Sequence, residues 1–163
     1  IKSGLNISNI NLETGLVKKI DLPKIIIDNE NAKKLNKKIL NNYNDSIDKL
    51  KNNDADLEFK IDYDYSILDN ILFIKINYVG KLTNGGINYE FKGYYYDLDN
   101  NKELTTEEIA NKYNITIDKI NESLKDYNKT VNDFSNPLFP SEKNIKIILV
   151  GNIETPIIEA LIK

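Results

Sequence analysis

Between Leu57 and Leu98 the side chains alternate with a period of two, and this alternation limits the fold more tightly than any other stretch. Leu57, Phe59, Ile61, Tyr63, Tyr65 and Ile67 fall on one side of an extended chain. Glu58, Lys60, Asp62, Asp64 and Ser66 fall on the other, so the pattern predicts a strand with one wet face. Asp69-Asn70 predicts a tight turn, and Ile71 to Val79 a returning strand with Leu72, Ile74, Ile76 and Tyr78 on one face. Asn84-Gly85-Gly86 supplies the positive φ that a connection needs. Ile87 to Leu98 then forms a third strand, with Ile87, Tyr89, Phe91 and Tyr95 inward. Gly93 interrupts it and marks a bulge or a close backbone approach. Sequential strands with short loops predict an antiparallel meander.

The flanks switch to the helical period. Ala32, Leu35, Ile39, Tyr43, Ile47 and Leu50 share one face of a helix over Ala32 to Leu50, capped by Asp28 or Asn29. Before it, Ile1 to Thr14 is an edge strand or an arm. Leu16 to Ile27 is extended, and Pro23 implies an edge position or a break there. Ile25-Ile26-Ile27 predicts a short buried strand. Thr105 stands three residues before Glu108, the spacing of a reciprocal helix cap. A second helix starts at Thr116 or Asp118, with Ile117, Ile120, Leu124 and Tyr127 on one face. Pro137 and Pro140 bracket a loop. Ile145 to Val150 is a strand, and Thr155 to Lys163 fits either a helix or a last strand. The fold class expected is α+β, an antiparallel sheet packed against a few helices, in one domain over residues 1–163.

Composition excludes much chemistry. The 163 residues contain no His, Cys, Met or Trp. Disulfides, thiolate nucleophiles, imidazole bases and Cys- or His-based metal sites are therefore ruled out. A hydrolase would have to rely on carboxylates, Lys or Tyr. No apolar run approaches the ~20 residues of a membrane span. The chain begins at Ile1, which reads as a processed or shortened protein, so that any signal peptide or anchor helix would not be visible in it. Heavy use of Asn, Lys and Ile points to an AT-rich genome of the low-GC Gram-positive kind. In such a chain the glycosylation sequons at Asn6, Asn44, Asn114, Asn121 and Asn128 arise by chance. The net charge is −3, and no Lys run is long enough for a nucleic-acid footprint. Lys33, Lys34, Lys37 and Lys38 read as the solvated face of a helix.

Each candidate for chemistry has a plainer reading. Glu58, Asp62 and Asp64 share one strand face, as acid/base or calcium groups would, and also as any solvated face in a chain with 25 acidic residues would. Asp97 to Asn101 lacks the Gly and terminal Glu of a calcium loop and reads as a turn. No helix follows Gly85-Gly86, so no phosphate cradle is expected. Tyr94 and Tyr96 share a strand face with Lys92 and Glu90. They are either exposed anchors for a protein or sugar ligand, or the core of a second layer. The expectation is a binding surface at Tyr94, Tyr96, Lys92 and Glu90, with no catalytic residue, metal or cofactor.

Several segments carry a family resemblance. They are the Pro-containing strand, the Ala32 to Ile39 helix, the hairpin at Ile71 to Tyr78 and the Gly85-Gly86 connection. Tyr94-Tyr95-Tyr96-Asp97-Leu98 and Lys102-Glu103-Leu104-Thr105 complete the set. Together they resemble the extracytoplasmic domain shared by lysozyme-sensing anti-sigma factors and the N-terminal region of some peptidoglycan deacetylases. The resemblance covers most of Leu16 to Lys163. Family members show Gly-Gly-Ala-His where this chain has Gly85-Gly86-Ile87-Asn88. The resemblance implies a non-enzymatic domain outside the membrane. In the anti-sigma branch it binds lysozyme, and binding exposes the protein to proteolysis that releases a sigma factor. In the deacetylase branch the implied role is an accessory domain that binds cell-wall glycan.

Overall fold

The computed structural model describes residues 1–52, 58–82 and 84–163; Leu57, the first residue of the alternating run, lies outside them. The fold is α+β. Nine strands and four helices are present among the described residues, with the first six strands lying in sequence order in one sheet and the last three in sequence order in another. The chain divides into two compact units. One comprises Ile1–Tyr63 and Ile76–Tyr89, the other Asp64–Lys75 and Glu90–Lys163. Strands β3 (Glu58–Leu68), β4 (Ile71–Lys81) and β5 (Ile87–Asp97) give residues to both.

In the first unit, β1 (Lys2–Ile10) runs antiparallel to β2 (Val17–Lys24). The ladder shifts register between Ser3 and Leu5, where Pro23, which has no N–H to give, stands opposite Ser3. The N-terminal segment is therefore an edge strand. After β2 the backbone leaves the sheet, so Ile25 to Ile27 is not the short strand expected: Ile25 is buried but Ile26 is 57% exposed. The Asn36 side chain replaces a partner strand there. Its Oδ1 accepts from the Ile25 N–H at 2.8 Å, and its Nδ2 donates to the Ile25 carbonyl at 2.9 Å.

The expected single helix is two. Asn29 accepts from the Asn31 amide and starts α1 (Glu30–Asn42), which buries Ala32, Leu35 and Ile39. At Tyr43 the backbone leaves helical geometry (φ −115°, ψ 15°), and α2 (Asn44–Lys51) follows at once. The apolar spacing continues through the break, which is why periodicity alone joined them. Lys18, a buried lysine, donates to the Lys49 carbonyl at 3.4 Å in the last turn of α2, where unpaired carbonyls favour a cation. The helices carry the chain back so that β3 lies parallel to β2, Ile20 beside Ile61. The expected meander concerns β3, β4 and β5, and this parallel crossover stands before it.

The second unit has one continuous core, from Ile71 and Phe73 on β4 through Tyr95, Ile109, Ile120 and Leu124 to Ile147 and Ile158. β6 (Lys102–Leu104) pairs with β5. Thr105 and Glu108 form the reciprocal cap of α3 (Thr106–Lys112), and Thr116 caps α4 (Ile117–Leu124). A 3₁₀ turn follows at Lys125–Tyr127. The second sheet is an antiparallel meander of β7 (Leu138–Ser141), β8 (Asn144–Val150) and β9 (Ile157–Ile162). Pro140 thus sits in an edge strand rather than a loop, and the ambiguous C-terminal segment is a strand whose Ile158, Ala160 and Ile162 are buried.

Tyr95 links these parts. Its ring meets Phe73 edge-on at 5.7 Å. Its buried hydroxyl accepts from the Leu138 N–H at 3.0 Å, at the start of β7, and from the Thr106 hydroxyl at 3.2 Å, at the start of α3. Gly93 makes room: a Cβ there would collide with the Tyr95 hydroxyl and stand 3.0 Å from Pro137 Cβ. The interruption at Gly93 is therefore a close approach.

Two substitutions test these contacts. Tyr95→Phe keeps the ring but orphans a buried N–H, and is expected to lower unfolding free energy in urea by about 1–3 kcal/mol. Asn36→Ala, which strips both partners from the Ile25 backbone, is expected to cost about 1–3 kcal/mol in the same measurement. A change under a few tenths in either variant contradicts the assigned role.

Candidate docking surface

The two tyrosines expected to bind are inside. Tyr94 is 3% and Tyr96 0% exposed, whereas Glu90 and Lys92 are exposed. Both are core, as the second-layer alternative required, because consecutive residues 94–96 are buried on both faces of the strand. Lys92 Nζ lies 5.9 Å from the centre of the Tyr94 ring, and the Tyr96 hydroxyl reaches Asn101 Oδ1 at 3.4 Å. Of the four expected residues only Glu90 and Lys92 are open to a ligand. Ile87, expected inward, is 53% exposed.

The carboxylates of β3 do not converge. Glu58 accepts from the Val17 N–H at 3.1 Å and pairs with Lys81 at 3.3 Å. Asp62 accepts from Asn77 Nδ2 at 2.8 Å and pairs with Lys60 at 3.3 Å. In the second unit Asp64 pairs with Lys75 at 3.3 Å. Lys75 also lies within 6 Å of the Phe91 and Phe139 ring centres, at 5.8 and 5.7 Å, and 3.8 Å from Glu159. Alternation alone did not indicate this lysine cage, whose members come from four strands. Among the described residues no group of three or more acidic side chains is placed to hold a metal ion.

Exposed negative charge gathers instead at two turns of the second unit. Asp69 and Asn70 take left-handed φ values of 51° and 57° in the β3–β4 hairpin. Asp69 accepts from the Tyr113 hydroxyl at 2.8 Å. The Leu98 N–H donates to the Asn70 carbonyl at 2.9 Å, and Asn70 Nδ2 donates to Asp99 at 3.3 Å, so the β5–β6 turn is fastened beside the hairpin. Asp97 builds that second turn. Its Oδ1 accepts from the Asp99 and Asn100 amides, and its Oδ2 from Asn100 Nδ2 at 2.8 Å. Asn100's side chain and amide hold the Asp97 carboxyl below its usual range. Asp99 is exposed beside the hairpin, and Glu107 and Glu108 are exposed in the first turn of α3, with Lys102 the one cation between positions 97 and 108. The capping box marks Glu108 and the turn pattern marks Asn70, but the bonds by which Asn70 fastens the two turns join residues distant in sequence.

The second unit carries fifteen Asp and Glu against ten Lys, a net −5, and the first ten against twelve, a net +2. No known family model matches the chain, and no curated protein matches it.

Three phenols are pushed above their usual value of 10.0. Burial does this to Tyr95. Burial and then the Asp97 charge do it to Tyr96. Burial and then the bond to Asp69 do it to Tyr113. Their contribution to stability is complete below pH ~10 and is lost as pH rises beyond it, since unfolding releases phenols that ionise readily. Absorbance titration at alkaline pH is expected to show a delayed component to which these three phenols contribute. Tyr113→Phe should reduce the delayed amplitude by one phenol; an unchanged delayed amplitude contradicts the assignment.

Proposed function

We propose that this chain is an extracytoplasmic sensing domain of the anti-sigma type, whose ligand is a basic protein with lysozyme as the candidate. The observation that carries this reading is the surplus of carboxylates on the second unit, displayed at the fastened turns around Asp69, Asp97 and Asp99. A surface of one sign attracts an oppositely charged partner at long range and orients its approach. Rigid turns suit such a role because little order remains to be imposed on binding. The separate pairing of Glu58, Asp62 and Asp64 favours docking over acid/base chemistry. Among the described residues no helix is long and apolar enough to cross a membrane. The resemblance supplies the rest of the proposal: a location outside the membrane, and regulated proteolysis of the anti-sigma factor once lysozyme is bound. The buried Tyr94 and Tyr96 have no part in it.

Calorimetric titration with lysozyme tests the proposal. Binding is expected at micromolar concentration and to weaken about tenfold between roughly 20 mM and roughly 200 mM salt. Asp99→Asn with Glu107→Gln should slow association more than it speeds dissociation, because exposed rim charges act mainly on encounter. Absence of heat at high micromolar concentration rules lysozyme out. Equal binding of an unrelated basic protein such as cytochrome c reduces the effect to non-specific attraction.

A further inference from the structure

A second surface of the acidic unit has the opposite character. A groove of about 430 Å³ runs between α4, the 3₁₀ turn after it and β9. A smaller recess of about 210 Å³ adjoins it, and the two share Lys119 and Lys163. Together they are lined by four lysines (Lys119, Lys125, Lys143 and Lys163) and two carboxylates (Glu122 and Asp126). The rest of the unit holds six lysines and thirteen carboxylates. A net +2 is thus gathered at these two hollows, while the remainder of the unit carries −7. The smaller recess has no acidic side chain among its lining residues.

The site is partly organised already. Lys119 Nζ donates to the Asn114 carbonyl at 2.8 Å, which holds its ammonium near the recess, and Asn114 itself sits in the left-handed region (φ 56°). Lys125 and Glu122 neutralise one another as a close pair at 2.6 Å. Lys119, Lys143 and Lys163 then set the sign of the recess. In the larger groove Tyr127, 37% exposed, offers a ring face, and Ser123 and Asp126 offer oxygens. A ring beside hydrogen-bonding groups suits a hydroxyl-rich body, and grouped ammonium ions suit an acidic substituent.

We propose that the groove and recess together bind a small hydroxyl-rich organic anion, a sugar acid or sugar phosphate, with its ring at Tyr127 and its acid group among Lys119, Lys143 and Lys163. Tyr113 lines the recess and donates to Asp69 of the acidic hairpin, so the two surfaces adjoin, but they use side chains of opposite charge, and this site can fail while the lysozyme proposal stands, and the reverse.

The test is an amide chemical-shift titration of the whole chain at fixed ionic strength with four probes: glucuronic acid, glucose 6-phosphate, glucose and inorganic phosphate. Either anionic sugar, or both, is expected to shift Ser123 and Asn144 saturably at millimolar concentration, and the stronger of the two identifies the acid group. Lys143→Gln should weaken that binding about fivefold, as loss of one charge-assisted contact does, and Lys119→Gln at least as much. Lys112→Gln, on α3 outside both hollows, should leave it unchanged. The proposal is overturned if neither anionic sugar shifts these amides, if glucose binds as well, or if phosphate alone reproduces the full effect. It is also overturned if folded Lys143→Gln binds as wild type does.

Discussion

One buried phenol holds the second unit in register. The Tyr95 hydroxyl lies where α3 and β7 begin, and it satisfies a backbone N–H that would otherwise be stranded in the core. In a low-dielectric interior such a bond has few substitutes, because no water is at hand to replace the partner. Its geometry sets other choices in the sequence. Position 93 must lack a side chain so that the Tyr95 hydroxyl can pass. Phe73 must present its ring edge-on to close the space beside it. Once β5, α3 and β7 meet at one point, the sheet of β7, β8 and β9 has its first strand placed, and β8 and β9 follow by pairing.

The abundance of asparagine has a structural use. Asn36 and Asn121 each lay both ends of a side-chain amide along a stretch of irregular backbone, at Ile25 and Val131, and so satisfy donor and acceptor where no strand is available. Asn11 and Asn152 accept from two amides each and close turns. Asn70, Asn101, Asn114 and Asn128 take left-handed backbone positions that branched residues avoid. A composition that first suggests only genome bias also supplies many of the chain's turns and non-strand pairings. The engagement of Asn121 with Val131 gives its sequon a structural reason to be present.

Local chemistry was legible in advance, and coverage at a distance was not. The caps at Asn29, Thr105 and Thr116, the Asp69-Asn70 turn and the outline of β3, β4 and β5 all follow from residues a few positions apart. The division of α1 from α2 at Tyr43 is invisible to periodicity because apolar spacing survives a one-residue break. The burial of Tyr94 and Tyr96 is hidden for a different reason. Alternation says which side chains share a face, but not whether that face is covered, and covering elements lie far away in sequence. The same limit hid the Lys75 cage, which assembles Asp64, Phe91, Phe139 and Glu159 from separate strands. The two acidic turns are half legible: Asp97 reads as a turn, but its fastening to the neighbouring hairpin needs the fold.

Charge shows why an average over the chain misleads. A net −3 suggests a mildly acidic protein with one kind of partner. The units instead carry +2 and −5, and within the acidic one the lysines around α4 and β9 reverse the sign locally. A charge in physiological salt is felt over about 8 Å, so an approaching ligand samples the local pattern and not the total. In the proposed sites, residues such as Asn70 and Asn114 would therefore act on recognition without touching a ligand. By holding Asp99 and Lys119 in place, they keep like charges together that would relax apart on a looser backbone. Gathering like charges costs stability, and the rigid turns beneath them are what make that arrangement sustainable.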